Sequence, residues 1–295
     1  MMCDIGMEKK FELLLNAVER LSSEDPNLEP SLLFYADLLL LRDELSGSVR
    51  EKIENPDKIV EKSKEIEGGE KPLTEITGIP TLDQATWRNI MAEVIEVVLK
   101  HRKGLSTELE KVKESLDGED LDIRKLAESS LTEEPNYVKE VASKLDVEVD
   151  LIQALALWTV QPVFKAIRLL VEGKMDVNKW HNGFCPICGS YTRTGYIARD
   201  RGQFLKCEMC GMEWPFQMLT CPFCGNEDKR MIEIHQVDGG RFRLYICRVC
   251  SNYWKVVDEE LVEESIPRDL YPVWTFKLDE MAEEILSEAQ ESKED

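Results

Sequence analysis

Eight cysteines in the second half of the chain form four Cys-x-x-Cys pairs, a spacing typical of turns that bind metal ions. Each turn points two sulfur atoms at one centre, so two turns make a tetrahedral four-thiolate site that suits zinc or a single iron. Three pairs are followed by glycine, which supplies the positive φ that closes such a turn, and the fourth is followed by Ser251. The sequence therefore predicts two bound metal ions, iron or zinc, held by Cys185, Cys188, Cys207, Cys210, Cys221, Cys224, Cys247 and Cys250.

The lengths of the segments between the pairs predict which turns share a metal. Eighteen residues separate Cys188 from Cys207, and twenty-two separate Cys224 from Cys247, so each gap fits a hairpin that returns the second turn to the first. Only ten residues separate the second pair from the third. We therefore pair the turns in chain order, as a first group (Cys185, Cys188, Cys207, Cys210) and a second group (Cys221, Cys224, Cys247, Cys250). A cross-braced pairing of first with third and second with fourth stays open.

Other chemistry fits the sequence less well. Four structural disulfides are not expected in a cytosolic chain, and a thioredoxin-type dithiol uses one Cys-x-x-Cys at a strand–helix junction. His181 and His235 are not expected as ligands, because eight thiols already satisfy two tetrahedral ions, and the ninth cysteine, Cys3, is assigned no role. The sequence contains no glycine-rich phosphate loop and no Ser/His/Asp signature, so we predict no catalytic site and no enzyme activity.

The segment that carries the cysteines alternates short apolar and polar residues, the pattern of β-hairpins. Strands are predicted over 191–198, 203–205, 231–236 and 242–246, with a tight turn at Gly239-Gly240 between the last two. These hairpins are the elements that must bring the cysteine turns together.

Residues 1–180 instead show apolar residues at three- and four-residue spacings, the pattern of amphipathic helices. Six to eight helices are expected, including 8–21, 31–45, 81–100, 121–129, 135–145 and 150–172, and a further helix is predicted over 277–291. The apolar run of helix 150–172 is interrupted by Gln161, Lys165 and Arg168, so a buried helix fits it better than a membrane span.

The predicted fold class is α+β and multidomain. An N-terminal all-α helical domain (1–180) is followed by two consecutive rubredoxin-like or zinc-ribbon modules (181–216 and 217–257) and by an acidic C-terminal helical tail (258–295). The formal net charge of −21 argues against a nucleic-acid partner, because binding to phosphates depends on a concentrated positive surface. The first ten residues lack the basic-then-apolar order of a signal peptide, so a cytoplasmic protein without membrane contact is expected.

The order of these motifs resembles the FdhE family, accessory proteins of formate dehydrogenase maturation. The resemblance is strongest over 181–257, and the chain departs from the family pattern over 268–274. The matching segments are Cys185-Pro186-Ile187-Cys188-Gly189, Cys207-Glu208-Met209-Cys210, Glu213-Trp214, Cys221-Pro222-Phe223-Cys224-Gly225, Cys247-Arg248-Val249-Cys250 and Tyr253-Trp254-Lys255.

The resemblance implies a cytoplasmic, non-catalytic, chaperone-like factor that binds the catalytic subunit of a molybdenum- or tungsten-dependent formate dehydrogenase. It also implies that the cysteine turns bind rubredoxin-like iron and contribute to the surface that contacts this client protein. The residues that it marks as candidates for partner binding are Trp214, Tyr253, Trp254 and Lys255. The departure over 268–274 leaves the client contacts of the C-terminal segment and the identity of the client open, and the oligomeric state stays open as well.

Two alternative functions belong to other classes. A rubredoxin-like electron-transfer protein would use four-thiolate iron, which absorbs visible light, whereas zinc does not. A nucleic-acid-binding zinc ribbon is supported only by the proximity of Arg241, Arg243 and Arg248 in the sequence.

Overall fold

The computed structural model describes residues 7–66, 69–118, 121–199, 201–262 and 266–294, so Cys3 lies outside the described residues. Nine α-helices precede the cysteine-rich segment in these ranges, which exceeds the six to eight that the sequence predicts. The difference arises from short helices such as α4, a single turn without a periodic apolar pattern. The helices are α1 (Met7–Glu24), α2 (Glu29–Lys52), α3 (Pro56–Ser63), α4 (Leu73–Thr77), α5 (Gln84–His101), α6 (Ser106–Leu116), α7 (Ile123–Ser129), α8 (Asn136–Leu145) and α9 (Val149–Val171).

Helix α9 is the centre of the helical domain and packs against α2, α3, α5, α7 and α8. It is long and apolar enough to cross a membrane, but 56% of its most apolar window is buried inside the protein. Side chains such as Leu155 and Val163 have no exposed surface. The helix is therefore the core helix of a soluble domain, and the six helices predicted from periodicity, including this one, are confirmed.

Six strands form one sheet in the described part of the chain, in the order β3-β2-β1-β6-β5-β4. All four predicted strands are confirmed, and two more, β3 and β6, complete the sheet. The strands are β1 (Thr194–Ala198), β2 (Gly202–Lys206), β3 (Glu213–Pro215), β4 (Ile232–Val237), β5 (Phe242–Cys247) and β6 (Tyr253–Asp258). Every residue of β6 is buried, so this strand lacks the alternation by which the others are predicted.

Each cysteine group belongs to one half of this sheet. In each half an antiparallel hairpin (β1–β2 or β4–β5) is followed by a cysteine turn and a third strand (β3 or β6). The halves join through β1 and β6, which run parallel, with Thr194 opposite Lys255. The two zinc-ribbon-like modules of the predicted fold class are therefore present, and they share a single sheet.

The C-terminal segment closes over the sheet with a short helix α10 (Tyr271–Trp274) and α11 (Phe276–Glu294), which confirms the helix predicted over 277–291. Leu278 and Ala282 of α11 pack on Leu244 and Ile246 of β5. The segment before α10 connects three parts of the molecule, because Asp269 pairs with Arg42 of α2 and Lys206 of β2, while Arg268 pairs with Glu213 of β3. The segment 268–274, where the chain departs from the family pattern, therefore connects the helical domain to the sheet through ion pairs inside the protein.

Candidate metal centres

The structure brings the eight sulfur atoms together as two groups of four, in chain order. In the first group, Cys185 Sγ lies 3.5 Å from Cys210 Sγ, and Cys188 Sγ lies 3.5 Å from Cys207 Sγ. In the second group the corresponding distances are 3.6 Å for Cys221–Cys250 and 3.7 Å for Cys224–Cys247. A tetrahedral ion with bonds to sulfur of about 2.3 Å holds its sulfur atoms about 3.8 Å apart, so both groups fit a zinc or iron ion.

All four turns have the same local geometry, which the sequence predicts. The residue after each second cysteine has a positive φ, from 56° at Ser251 to 76° at Gly189. The first cysteine amide donates to the carbonyl five residues later, as in Cys185 N to Ser190 O at 2.9 Å. The Ile187 amide also points at Cys185 Sγ, 3.4 Å away, which orients the sulfur atom toward the centre.

Two thiols of the first group, Cys185 and Cys207, are weaker acids than an ordinary cysteine. Burial, reinforced by the neighbouring thiols, raises the pKa of Cys185 well above its ordinary value, and burial likewise raises the pKa of Cys207. Since zinc and iron bind the thiolate, a metal that enters this group releases protons.

The two groups differ in their surroundings. Three cysteines of the first group are buried, and they belong to the same apolar core as the helical domain. Helix α4 contacts this group directly, because Leu73 N and Thr74 N donate to the carbonyl oxygens of Pro186 and Ile187 at 2.9 and 3.0 Å. In the second group, Cys224 is exposed and Cys250 is half-buried. The first group therefore lies at the junction of helices and sheet, and the second lies at the periphery.

The four candidate partner-binding residues are all buried inside the chain. Trp214 and Trp254 have no exposed surface, and Tyr253 and Lys255 are 6% and 3% exposed. Trp214 Nε1 donates to Asn182 O at 3.0 Å. Tyr253 and Lys255 both donate to the Asp279 carboxylate of α11. These contacts place the four residues in the interior, so they offer no surface to a partner in this conformation.

The two histidines near the cysteines lie outside both groups, each of which consists of cysteine sulfurs alone. His181 is exposed, and His235 Nε2 lies 2.6 Å from Glu233 Oε1.

Sequence reasoning missed a set of buried cations at the junction. Arg42 of α2 and Lys165 and Arg168 of α9 lie beside the turn that carries Cys207 and Cys210, where Arg42 Nη1 donates to Glu208 O at 3.5 Å. In the sequence, these three cations could have been recognised by their position within apolar runs. A cation there needs a buried counter-charge, and its partner from another element is not visible in a local pattern of residues.

A close backbone approach also links the two groups. A Cβ on Gly183 would lie 1.9 Å from the carbonyl oxygen of Pro222, in the first turn of the second group. Gly183→Ala is therefore expected to push this loop away from the turn and to destabilise the protein by about 1–3 kcal/mol. Thermal or denaturant unfolding measures the change, with Gly104→Ala, where a Cβ meets nothing within 4 Å, as the matched control. Equal stability of the two variants would contradict the close approach.

A helical domain, a sheet with two four-cysteine groups and a C-terminal helix define a metal-binding protein of the zinc-ribbon-like class. No family model matches the sequence. A curated relative from Aquifex aeolicus, an FdhE homolog, is 27% identical over 116 residues, which cover 38% of this chain and 41% of the relative. An FdhE homolog from Haemophilus influenzae (strain PittGG) is 25% identical over 237 residues, covering 79% of this chain and 71% of the relative.

The fold has a solved counterpart in the crystal structure of the FdhE protein from Pseudomonas aeruginosa, with a TM-score of 0.60 and 18% sequence identity. The superposition covers 92% of this chain and 93% of the other. The chain is similar to FdhE homologs in sequence and to an FdhE protein in fold, and both likenesses support the family assignment that the order of its cysteine motifs indicates. The match to the Aquifex relative spans less than half of that protein. The activity and partners of this chain are therefore considered only as a proposal.

Proposed function

We propose that this chain is a cytoplasmic, non-catalytic accessory protein that acts like a chaperone in the maturation of a molybdenum- or tungsten-dependent formate dehydrogenase. It binds the catalytic subunit of that enzyme through the sheet that carries the cysteines. The observation that supports this most is the pair of four-cysteine groups within an FdhE-like fold. The eight cysteines are proposed as the ligands of two metal ions, iron or zinc, which hold the four turns in place.

The second cysteine group carries an exposed apolar surface on this sheet. Val249, in its second turn, is 56% exposed, and Cys224 is exposed as well. Phe223 stacks on Tyr191, which is 55% exposed, with ring centroids 5.7 Å apart. Apolar side chains grouped at the surface favour protein–protein contact. We define Tyr191, Phe223, Cys224 and Val249 as the second-group surface and propose it as the contact for the client protein.

Electron transfer is the second candidate, and the exposure of Cys224 favours it, because an iron ion beside an exposed thiolate lies close to a docked donor. A visible spectrum and reversible reduction of the iron-loaded protein would support this function. Nucleic-acid binding is not proposed, because each of the three arginines that favoured it in the sequence is paired with a carboxylate. The pairs are Arg241 with Asp238, Arg243 with Asp258 and Arg248 with Glu233.

Affinity capture in the native host tests the proposed function. The tagged native chain is expected to capture a formate dehydrogenase catalytic subunit, which mass spectrometry identifies. Val249→Asp, which places a charge in the second-group surface, is expected to reduce the captured amount by about tenfold or more. Leu131→Asp, at a residue 39% exposed on the helical domain, is the matched control and should capture the native amount.

The absence of any formate dehydrogenase subunit from the native capture would contradict the function. Equal losses in Val249→Asp and Leu131→Asp would contradict the assigned surface and leave the function standing.

A further inference from the structure

Three cations of the helical domain converge on the second turn of the first cysteine group. A Cβ on Gly211, directly after Cys210, would lie 3.4 Å from Arg168 Nη1 and 3.7 Å from both Arg42 Nη2 and Lys165 Nζ. We call Arg42, Lys165 and Arg168 the junction cations. Since Gly211 has a φ of 74° and no side chain, the turn admits these cations close to its backbone.

The junction cations are withdrawn from water, and a buried charge is costly unless an opposite charge lies close to it. The side chain of Arg42 is 2% exposed, that of Lys165 is 11% exposed, and that of Arg168 is 18% exposed. Arg168 Nη2 donates to Glu172 Oε1 at 2.7 Å, while Arg168 Nε is buried and has no hydrogen-bond partner among the residues that the structure describes.

The carboxylates at the junction are shared among several cations. Asp43 pairs with Lys10, Arg42 and Lys165, the last at 3.8 Å. Asp269 in turn pairs with Lys10, Arg42 and Lys206. Among the described residues, Lys10, Arg42, Lys165 and Lys206 therefore share these two carboxylates. Lys206 also pairs with Glu213, which it shares with Arg268, and Arg168 pairs with Glu172, a carboxylate 54% exposed.

The pKa of Lys165 reflects these surroundings. Burial, together with Arg168 and Arg42, lowers the pKa of Lys165 to about 7, although Asp43 acts in the opposite direction. The described ion pairs at the junction thus set five cations, Lys10, Arg42, Lys165, Arg168 and Lys206, against four carboxylates, of which Glu172 is half exposed and Glu213 is shared with Arg268.

A metal–thiolate centre provides the missing negative charge. Four thiolates carry more charge than the divalent ion that they bind, so the loaded first group is an anion. The second group has different surroundings: a Cβ on Gly225, directly after Cys224, would meet nothing within 4 Å, and Arg248 beside Cys247 is exposed and paired with Glu233.

We propose that the junction cations supply the counter-charge of a metal bound by the first cysteine group, so that metal binding there and docking of the helical domain on the sheet stabilise each other. The metal of the first group is then a permanent part of the junction, whereas the metal of the second group exchanges freely with solution. This inference concerns the retention of the metal and is independent of the client protein.

Chelator competition on the full zinc-loaded chain tests the proposal. The rate of zinc release is measured, while alkylation of the freed thiols and mass spectrometry assign each release to a cysteine group. Lys165→Met keeps the length of the side chain and removes its charge. It is expected to speed release from the first group by about tenfold to a hundredfold and to leave the second group unchanged, because side chains around the ligands tune metal affinity on this scale.

Two matched variants separate charge from packing. Lys165→Arg keeps the charge and should retain release close to the native rate. Lys255→Met removes another buried lysine, 4% exposed at its side chain and paired with Asp279, and should leave the first group unchanged. If Lys165→Met does not fold, Arg168→Met, at a less buried cation, replaces it in the same comparison.

Four results would overturn the proposal. They are a native rate in Lys165→Met, an equal acceleration in Lys255→Met, an equal acceleration in Lys165→Arg, and a native chain whose first group carries no metal.

Discussion

Replacing Cys210 with alanine is expected to remove the metal of the first group and to unfold the junction between helices and sheet. Cys210 has no exposed surface and packs in the same core as Phe164 of α9. The variant loses one ligand, and it also leaves the junction cations without the anionic centre. Because the free energy of binding structural zinc, about 10–16 kcal/mol in small domains, is largely free energy of folding, a loss of several kcal/mol in stability is expected.

The matched control is Cys224→Ala, at the exposed cysteine of the second group. It should also reduce the metal content by one ion per chain, but it should lower the melting temperature much less, because the second group lies at the periphery. Elemental analysis and thermal unfolding by circular dichroism measure both effects. If Cys210→Ala keeps two metal ions, the ligand assignment is wrong, and if both variants melt alike, the assigned difference between the groups is wrong.

Replacing Asp269 with asparagine is expected to destabilise the protein by about 3 kcal/mol, because the change leaves buried cations without their shared carboxylate. Asp269 lies 3.1 Å from Lys206 Nζ and 3.4 Å from Arg42 Nη2, and these two partners are 7% and 2% exposed. Asparagine keeps the shape of the side chain, so the change in stability can be attributed to the loss of the negative charge. The control is Glu128→Gln, whose carboxylate is 46% exposed and pairs with Arg124 on the surface, where a change of at most about 1 kcal/mol is expected.

The same residue predicts a dependence on pH. Burial alone would raise the pKa of Asp269, but Lys206, Arg42, Lys10 and Lys165 outweigh it and hold this pKa well below the ordinary value of 3.8. A group whose pKa is lower in the folded state contributes stability above its unfolded pKa and loses it as the pH falls toward the folded pKa. Denaturant unfolding should therefore show native stability falling below about pH 4. The difference between the native chain and Asp269→Asn should shrink over the same range, and a constant difference would contradict the assignment.

Periodicity in the sequence predicted most of the elements that position the cysteines, and its failures have physical reasons. Strand β4 alternates in burial because one of its faces is exposed, whereas β1 and β5 are buried at most positions, and all are predicted from the runs between the cysteine pairs. Strand β6 is buried on both faces between β1 and β5, so its composition does not alternate. Helix α4 is too short for a periodic pattern, and it is held by hydrogen bonds to Pro186 and Ile187 more than a hundred positions away.

The candidate partner-binding residues show a second limit of prediction from the sequence. Trp214, Tyr253, Trp254 and Lys255 were marked by their place in a family pattern, and aromatic residues are frequent both in protein interfaces and in cores. Composition does not separate these two uses. Only the packing of Trp214 in the core shared with the helical domain, and the position of Asp279 beside Tyr253 and Lys255, place them in the interior.

The four cysteine turns were determined by the sequence alone, because the two thiols of each turn, its closing hydrogen bond and its residue of positive φ all lie within six consecutive positions. Their grouping in chain order followed from the lengths of two hairpins. Only the tertiary structure decided that the two groups are unequal. The cations around the first group come from helices α2 and α9, and Arg42 meets the Glu208 carbonyl across 166 positions of the chain. Contacts over such distances depend on how the helical domain packs on the sheet, and no local pattern of residues records that packing.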